Sequence, residues 1–207
     1  SPIKLSANES ALGPSPKAVK SYSSIGRGFV RYPDSDGTYF RKILAKKFKL
    51  KRDKIILGSG SDQIFELICK LFLKKGDEVV VPEFSFIIYR IYSRMFGAKV
   101  RYAKEENYTP SVNSILNCLN KKTKIVFLAN PNNPTGTYLK KNEVLELRKK
   151  MRSDILLVID DAYFEYIKDS EYASGIELFS KSENVIITRT FSKIYGLAGL
   201  RIGWGYG

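Results

Sequence analysis

Residues 54–81 read KIILGSGSDQIFELICKLFLKKGDEVVV, and the pattern of this segment indicates the class of the fold. It opens on a short apolar run, Lys54–Leu57, and continues after a few small residues into a helical pattern over Asp62–Leu73. The apolar residues spaced to bury one face of that helix are Ile64, Leu67, Ile68 and Leu71. A second apolar run, Glu78–Val81, follows, so the segment predicts a strand, a helix and a second strand.

The rest of the chain repeats this alternation. Further predicted strands are Lys99–Tyr102, Lys124–Leu128, Ile155–Ile159 and Val185–Thr188. Further predicted helices are Thr38–Phe48, Phe86–Phe96, Val112–Leu119 and Asn142–Met151. Strands alternating with helices of this length predict an α/β fold, with a parallel sheet covered by helices on both faces. Ligands of such sheets bind at the carboxyl ends of the strands, so the residues after each strand are the candidates for function.

Length and composition exclude several classes of protein. The 207 residues fit one large α/β domain or two small ones, and 43% hydrophobic with 27% charged residues indicates a folded chain. No apolar run approaches the roughly 18–20 residues of a membrane span, and Ser1–Leu5 lacks the layout of a secretory signal. Cys69 and Cys118 lie in apolar helical patterns, which indicates reduced core residues of a cytoplasmic protein. The sequence contains no His, so His-based triads and His-ligated metals are excluded.

The chain is strongly basic, with 35 Lys and Arg against 21 Asp and Glu and a net charge of +14. Such a charge is compatible with nucleic-acid binding, because basic surfaces attract phosphate backbones. A nucleic-acid site, however, usually clusters its basic residues on one element among aromatic side chains. The lysine pairs are scattered instead, at Lys46-Lys47, Lys74-Lys75, Lys121-Lys122, Lys140-Lys141 and Lys149-Lys150. This distribution favours a solvated surface over a nucleic-acid partner.

Small residues follow the first predicted strand, in the sequence Gly58-Ser59-Gly60-Ser61-Asp62. Backbone N–H groups of small residues can approach an anion closely, and a helix N-terminus adds its positive dipole end. A tight turn in which Ser61 or Asp62 caps the helix explains the same residues equally well. The pattern is neither a P-loop nor a dinucleotide fingerprint.

Specialised residues also follow two later strands. The loop Asn130–Gly136 contains two Asn-Pro steps, which restrict the backbone and fix the direction of Asn133. Asp160 and Asp161 end an apolar strand, where a buried ionised carboxylate needs a cation. Because neighbouring side chains on a strand point to opposite faces, only one of the two is expected to face the cleft. This disfavours a metal site and favours a single charge partner.

The last predicted strand leads into Thr190-Phe191-Ser192-Lys193, with Arg201 further along the chain. Hydroxyl groups and an arginine suit a phosphate, and a lysine forms Schiff bases with carbonyls when its surroundings lower its pKa. A plain surface lysine fits poorly beside so many apolar neighbours. Together with Asp160 and Tyr163, these residues fit the cofactor pyridoxal phosphate, which pairs a lysine Schiff base with an aspartate at the pyridinium nitrogen.

Six segments, in order along the chain, carry a resemblance to a known family: Leu5–Glu9, Leu12–Pro16, Arg31–Asp34, Gly58–Asp62, Asn132–Gly136 and Thr190–Gly203. They resemble the histidinol-phosphate aminotransferases, which are fold-type I pyridoxal-phosphate enzymes with a mostly parallel sheet between helices. The resemblance runs from Ile3 to the last residue. It implies an N-terminal segment, 1–30, and a cofactor-binding large domain, 31–207, that is incomplete at its C-terminus.

The resemblance also implies the roles of individual residues. The catalytic residues are Lys193, Asp160 and Tyr163: the lysine forms the imine with the cofactor and later moves a proton, and the aspartate pairs with the ring nitrogen. Tyr163 and Asn133 bind the phenolic oxygen, and Phe86 stacks on the ring. The phosphate-binding residues are Gly60, Ser61, Asp62, Thr190, Ser192 and Arg201. Asn8 lies near the substrate. Tyr32 reaches the phosphate of a neighbouring subunit, so a homodimer is implied.

The implied reaction is transamination in two halves, in which a small-molecule amino donor gives its amino group and a keto acid collects it. The expected pairs are histidinol phosphate with imidazole-acetol phosphate and glutamate with 2-oxoglutarate, a step of histidine biosynthesis. An aromatic-amino-acid aminotransferase and a threonine-phosphate decarboxylase-like enzyme share nearly all these motifs and stay open as alternatives. A basic nucleic-acid-binding protein is the remote alternative.

The sequence departs from the family pattern in two ways. Asp161 and Gln63 stand where the family more often has Glu, but both are only neighbours of functional positions. Family members also finish with a smaller domain whose arginine grips the substrate carboxylate, and no residue here supplies it. The strand-like run Leu200–Trp204 has no covering helix after it, which predicts that the chain is cut short.

Overall fold

The computed structural model describes residues 4–207, so residues 1–3 of the predicted N-terminal segment lie outside the described residues. The helices are α1 Pro16–Ser23, α2 Thr38–Phe48, α3 Gly60–Phe72, α4 Ile87–Met95, α5 Val112–Asn117, α6 Lys141–Lys150 and α7 Gly175–Phe179. The strands are β1 Ile55–Ser59, β2 Glu78–Pro82, β3 Lys99–Ala103, β4 Glu105–Glu106, β5 Thr109–Pro110, β6 Thr123–Ala129, β7 Leu156–Asp160, β8 Val185–Thr190 and β9 Ile202–Tyr206. Every predicted strand and helix is present, with its ends shifted by a few residues at most.

Seven of the strands form one sheet in the order β1-β9-β8-β7-β6-β2-β3, and β4 and β5 form a separate small hairpin. The sheet is mostly parallel, as the resemblance implies, with β3, β2, β6, β7 and β8 paired in parallel. The alternation of strands and helices alone predicts a fully parallel sheet, and this is wrong for β9, which runs antiparallel to both β1 and β8. A parallel return needs a crossover of a dozen or more residues, usually through a helix. The segment between β8 and β9 contains only the short 3-10 turn Ala198–Leu200, so the chain comes back beside β8 in the opposite direction.

Two apolar clusters cover the two faces of the sheet. Side chains alternate along β6 and β7, so Val126 and Leu157 join the cluster packed by α2, α5, α6 and α7. Their neighbours Phe127 and Val158 join the cluster packed by α3 and α4. Asp160 therefore shares its face with Val158, and this places its carboxylate on the side of α3 and α4.

The burial of the cysteines agrees only in part with the sequence prediction. Both cysteines are free thiols, but only Cys69 is buried, while Cys118 follows α5 and is half-buried.

Helices α1 and α7 were not predicted, although each begins at a serine whose hydroxyl accepts a backbone N–H, Ser15 and Ser174. Among the helices of residues 4–207, none is both long and apolar enough to cross a membrane.

Gly203 sets how closely β9 can approach the start of α3. A Cβ atom at this position would lie 2.3 Å from the carbonyl carbon of Gly60 and 2.3 Å from the backbone nitrogen of Ser61. Gly203→Ala is therefore expected to lower the free energy of unfolding by about 1–3 kcal/mol, since backbone atoms cannot move aside cheaply. Urea or thermal unfolding measures this effect.

Gly199→Ala is the matched control. A Cβ atom at Gly199 would meet nothing within 4 Å, and this glycine has no left-handed backbone. Its substitution is expected to change stability by no more than about 0.5 kcal/mol. Equal stability losses in the two variants would contradict the packing argument at Gly203.

Candidate functional site

A cavity of about 640 Å³ opens at the carboxyl ends of the parallel strands, the size of a typical cofactor or ligand pocket. It is bounded by the residues that follow β1, β6, β7 and β8, by the start of α4 and by the N-terminal segment. The predicted site residues that line it are Asn8, Ser61, Asp62, Phe86, Asn133, Asp160, Tyr163, Thr190, Ser192, Lys193 and Arg201. Gly60 lies beneath this lining, against Arg201. Tyr32 lies outside the cavity and is fully exposed.

Asp160 brings a buried carboxylate to the floor of the cavity. Only 6% of the residue is exposed, and its Oδ2 accepts a hydrogen bond of 2.6 Å from the Tyr89 hydroxyl. Its Oδ1 accepts hydrogen bonds of 3.2 Å from the Thr188 hydroxyl and from the backbone N–H of Ala162. Burial raises the pKa of the Asp160 carboxyl to about 6, and these three hydrogen bonds hold it below the value that burial alone would give.

Asp161 points to the opposite face, as the alternation of side chains on a strand predicts. Its carboxylate accepts hydrogen bonds from the backbone N–H of Gly175, at 3.1 and 2.9 Å, and lies 3.6 Å from the Arg189 guanidinium. Burial raises its pKa, and Arg189 opposes that rise. The cavity therefore receives one carboxylate of the pair, and no group of three or more potential metal ligands occurs within residues 4–207.

Lys193 carries its amine into the cavity from the loop after β8. The Nζ atom donates a hydrogen bond of 3.0 Å to the carbonyl of Ala7 and lies 5.5 Å from the centre of the Tyr163 ring. The Nδ2 of Asn8 donates a hydrogen bond of 3.1 Å to the Tyr163 hydroxyl. The N-terminal segment thus contacts both the amine and the tyrosine, and it closes one side of the cavity.

Glycine permits this close approach of the N-terminal segment. Gly196 has a φ of +65°, and a Cβ atom there would lie 2.3 Å from the carbonyl carbon of Gly13. An L-residue at this position would therefore be strained by its backbone and would collide with the segment. The loop that carries Lys193 and the segment that covers it fit together at this point.

A second part of the cavity gathers hydroxyl and guanidinium groups at the start of α3. The Arg201 guanidinium lies 3.7 Å from the carboxylate of Asp62 and donates to the Ser192 hydroxyl at 3.4 Å. The Thr190 hydroxyl lies 3.0 Å from the same Ser192 oxygen. Gly60 has a φ of +74°, and a Cβ atom there would lie 2.4 Å from Arg201 Nη2, so only glycine leaves room for the guanidinium. Two hydroxyls and a guanidinium converge here with the N–H groups of Ser61 and Asp62, whereas the Gly60 N–H donates to the Arg201 carbonyl at 3.0 Å.

The alternative interpretation of the 58–62 segment is wrong in its details. It assigned the helix cap to Ser61 or Asp62, but α3 already begins at Gly60, behind Ser59. The Ser59 hydroxyl makes no capping hydrogen bond, and the Gln63 side chain accepts the backbone N–H of Ser59 at 2.8 Å. The Gly60 N–H donates to the Arg201 carbonyl at 3.0 Å, and the Ser59 side chain leaves the N–H groups of Ser61 and Asp62 uncapped, which favours the anion-binding interpretation.

Hydrogen bonds of Asn132 hold the loop after β6, in addition to the two Asn-Pro steps that were expected to fix the direction of Asn133. Asn132 is 2% exposed, and its Nδ2 donates to the Thr135 hydroxyl at 2.9 Å and to the Phe84 carbonyl at 3.3 Å. Its carbonyl accepts the N–H of Gly136 at 2.9 Å. These contacts hold Asn133 at the wall of the cavity, so one asparagine of the loop is structural and its neighbour faces the site.

Sequence reasoning missed two residues that bind the Asp160 carboxylate, Tyr89 and Thr188. The predicted helix Phe86–Phe96 contains two tyrosines, Tyr89 and Tyr92. Which of them faces the sheet depends on the rotation of α4 in the fold. Tyr89 lies one turn after Phe86 on the inward face, and this spacing was the only available signal.

Comparisons with known proteins agree with this architecture. The family model for aminotransferase class I and II matches residues 1–207. A histidinol-phosphate aminotransferase from Pelagibacter ubique is 55% identical over 205 residues, which are 99% of this chain and 57% of that protein. A histidinol-phosphate aminotransferase from Paramagnetospirillum magneticum is 45% identical, over 99% of this chain and 56% of that protein. The chain thus spans little more than half the length of these relatives.

Solved structures of aminotransferases are also similar to this chain. The histidinol-phosphate aminotransferase of Sinorhizobium meliloti, in complex with pyridoxal-5'-phosphate, superimposes with a TM-score of 0.92 at 28% identity. That match covers 97% of this chain and 55% of the other. A putative histidinol-phosphate aminotransferase from Erwinia carotovora matches with a TM-score of 0.93 at 26% identity, over 100% of this chain and 61% of the other. The family model matches residues 1–207, and the fold and the cavity at the strand ends agree with it. The chain therefore belongs to the class I and II aminotransferases.

Proposed function

We propose that the chain is the cofactor-binding part of a pyridoxal-phosphate-dependent aminotransferase that acts on histidinol phosphate and 2-oxoglutarate. The observation that carries the proposal is the convergence of three chemically different groups on one cavity. These are the Lys193 amine, the buried Asp160 carboxylate and the anion site around Arg201. Pyridoxal phosphate needs one of each, for its aldehyde, its pyridinium nitrogen and its phosphate.

The residues present fit this cofactor. A carboxylate as buried as Asp160, with a raised pKa and no cationic side chain bonded to it among the described residues, matches the cationic pyridinium nitrogen. The space that a Cβ atom of Gly60 would fill is taken by the Arg201 guanidinium, which suits a doubly charged phosphate. Phe86 and Ala162 line the cavity between these two ends and offer apolar contacts to a flat ring.

The chemistry of the bound cofactor is that of an electron sink for a carbanion next to nitrogen. The protein's part is to hold and move a proton and to fix the ring. Lys193 Nζ, which now donates to the Ala7 carbonyl, would take the proton from the substrate carbon and return it. Tyr163 and Asn133 would bind the phenolic oxygen, Phe86 would cover the ring, and Thr190 and Ser192 would bind phosphate oxygens. Asn8, bonded to Tyr163, would lie beside the substrate.

The substrate assignment is supported by the relatives and not by a side chain in the cavity. The two curated relatives at 55% and 45% identity are both named histidinol-phosphate aminotransferases. The proposal therefore places the whole protein in histidine biosynthesis and in the cytoplasm. An aromatic aminotransferase from Pyrococcus horikoshii shares the fold at 24% identity, which supports the architecture alone.

The experiment uses the full-length protein loaded with pyridoxal phosphate. Borohydride reduction followed by peptide mass analysis is expected to find the cofactor attached to Lys193. Histidinol phosphate is expected to be the fastest donor in a screen against aromatic amino acids, and no carbon dioxide is expected to be released. Attachment at another lysine would overturn the site assignment, and preference for an aromatic donor, or decarboxylation, would overturn the substrate assignment.

We also propose that the protein works as a homodimer. Apolar side chains of the N-terminal region are largely exposed, including Leu12 at 96%, Val30 at 82% and Tyr32 at 100%. Large exposed apolar side chains of this kind are typical of subunit interfaces. Sedimentation of the full-length protein is expected to give a dimer, and Tyr32→Ala is expected to weaken cofactor binding. A monomer with full activity would contradict this proposal.

Arg201→Gln tests the anion site separately from the amine. Loss of a charge-assisted hydrogen bond to phosphate is expected to weaken pyridoxal-phosphate binding by about 10- to 100-fold. Equilibrium titration of the full-length apoenzyme measures this. Arg52→Gln is the control, because Arg52 lies before β1, at the amino end of the sheet away from the cavity. Unchanged affinity in the Arg201 variant would remove Arg201 from the phosphate site.

A further inference from the structure

Tyr89 joins two of the groups predicted to hold the cofactor ring. It lies on α4 with none of its surface exposed, and its hydroxyl donates the 2.6 Å hydrogen bond to Asp160 Oδ2. Its ring meets the Phe86 ring edge-on, with centroids 5.7 Å apart and planes at 87°. One side chain therefore contacts both the carboxylate at the cavity floor and the aromatic ring at its wall.

The Tyr89 ring is itself held rigidly. It stacks on Phe127 of β6 with centroids 4.9 Å apart and planes 1° from parallel, and it meets Phe65 of α3 edge-on at 5.0 Å. The Ser93 hydroxyl donates to the Tyr89 carbonyl at 2.7 Å, one turn further along α4. A hydroxyl carried by a ring with this many fixed neighbours has little freedom, so it pre-organises the carboxylate that it binds.

We propose that Tyr89 is a positioning residue: its hydroxyl fixes the orientation and proton affinity of Asp160, and its ring fixes Phe86. The residue does not line the cavity and does not touch the reacting atoms. It acts through Asp160, whose carboxylate it stabilises in the ionised form that a pyridinium nitrogen requires. Its importance for catalysis rests on the proposed function, whereas its effect on Asp160 does not.

Among the described groups around the Asp160 carboxylate, only Tyr89 donates a hydrogen bond to Oδ2. Besides Tyr89, the titratable groups near Asp160 are Asp62 on α3 and, in the same cavity, Tyr163, Lys193 and Arg201. Asp161 is its neighbour in the chain but points to the opposite face. The Asp62 carboxylate raises the pKa of Asp160, and the Thr188 hydroxyl and Ala162 N–H both bind the other oxygen, Oδ1. Burial raises the pKa of Tyr89 far above its ordinary value, so its hydroxyl stays protonated and remains a donor.

The test is Tyr89→Phe, which keeps the ring and removes only the donor. In the full-length apoenzyme, the protonation of Asp160 is measured against pH from the infrared carbonyl band of its carboxyl group. The band is assigned by its absence in Asp160→Asn. The pKa of Asp160 is expected to rise by about one to two units in Tyr89→Phe. In the holoenzyme the acid limb of the kcat profile is expected to move to higher pH, while KM for the amino donor stays within about twofold.

Tyr92→Phe is the matched control on the same helix, because the Tyr92 hydroxyl has no bond to Asp160. It is expected to leave both measurements unchanged. An unchanged pKa of Asp160 in folded Tyr89→Phe would overturn the inference, and this result is independent of whether the cofactor binds. If Tyr89→Phe does not fold, 3-fluorotyrosine at position 89, a stronger donor, must lower the pKa of Asp160, and no change would overturn the inference.

Discussion

The Lys193→Ala variant is expected to lose the borohydride-trapped cofactor completely and to lose transamination by at least about 10⁴-fold. Lys193 is the only lysine that lines the cavity among the described residues, so no second amine can replace it. The side chain is half-buried and makes one hydrogen bond, to the Ala7 carbonyl. Stability is therefore expected to fall by no more than about 1 kcal/mol. Reduction and mass analysis measure attachment, and a coupled assay measures the rate.

The control for this variant is Lys181→Ala, an exposed lysine of the loop before β8. It is expected to keep both the trapped cofactor and the activity of the parent. If Lys193→Ala still retained trapped cofactor at the parent level, Lys193 would not be the residue that attaches the cofactor. A loss of activity in Lys181→Ala equal to that in Lys193→Ala would point to a general defect of folding.

The Asp160→Asn variant is expected to have two opposite effects. Activity is expected to fall by on the order of 10²- to 10³-fold, because the pyridinium nitrogen loses its anionic partner. The cofactor-free protein is expected to become more stable at neutral pH, because a buried ionised carboxylate is removed. The amide can still accept from Thr188 and Ala162 through its oxygen, and its N–H₂ can donate to the Tyr89 oxygen.

The sign and the pH range of the stability effect follow from the pKa of Asp160. The value of about 6 in the folded chain lies above the ordinary 3.8, so the folded chain holds this proton more tightly than the unfolded chain. The resulting stability is fully present below about pH 4 and is lost as the pH rises through about 6. The difference corresponds to about 3 kcal/mol at pH 8, where the gain in Asp160→Asn is expected to be largest.

Urea unfolding of the cofactor-free parent and variant at pH 4 and pH 8 measures this gain. Asp154→Asn is the control, because Asp154 is exposed and pairs with Arg152 at 2.9 Å. The pairing lowers the pKa of Asp154, so removing this carboxylate is expected to lower stability slightly at pH 8 rather than raise it. An Asp160→Asn protein less stable than the parent at pH 8 would contradict the electrostatic argument.

The sequence was sufficient to predict the main features of the fold, because the periodicity of each segment determines whether it buries one face or two. Every strand and long helix predicted from its pattern is present. The direction of β9 could not be predicted, since the apolar run Leu200–Trp204 reads the same in either direction. Only the absence of a crossover helix between β8 and β9 decides it.

The candidate site was predictable wherever a functional residue directly follows a strand. Asp160, Asn133 and Lys193 all meet in one cavity because the carboxyl ends of the strands share one edge. Tyr89 and Thr188 could not be predicted, because Tyr89 reaches Asp160 from the first turn of a helix and Thr188 from within a strand. Their contacts depend on the rotation of α4 and on the register of β8 against β7.

The contact between Lys193 and Ala7 has a consequence for how the molecule assembles. The two residues are 186 positions apart, and between them lies most of the seven-stranded sheet. Closing so long a loop has an entropic cost that only an already folded sheet can offset. During synthesis, residues 4–13 leave the ribosome before Lys193 does, but they reach their place only after Lys193 has been made. This wall of the cavity is therefore expected to form late, although its residues are translated before the strands and helices of the sheet.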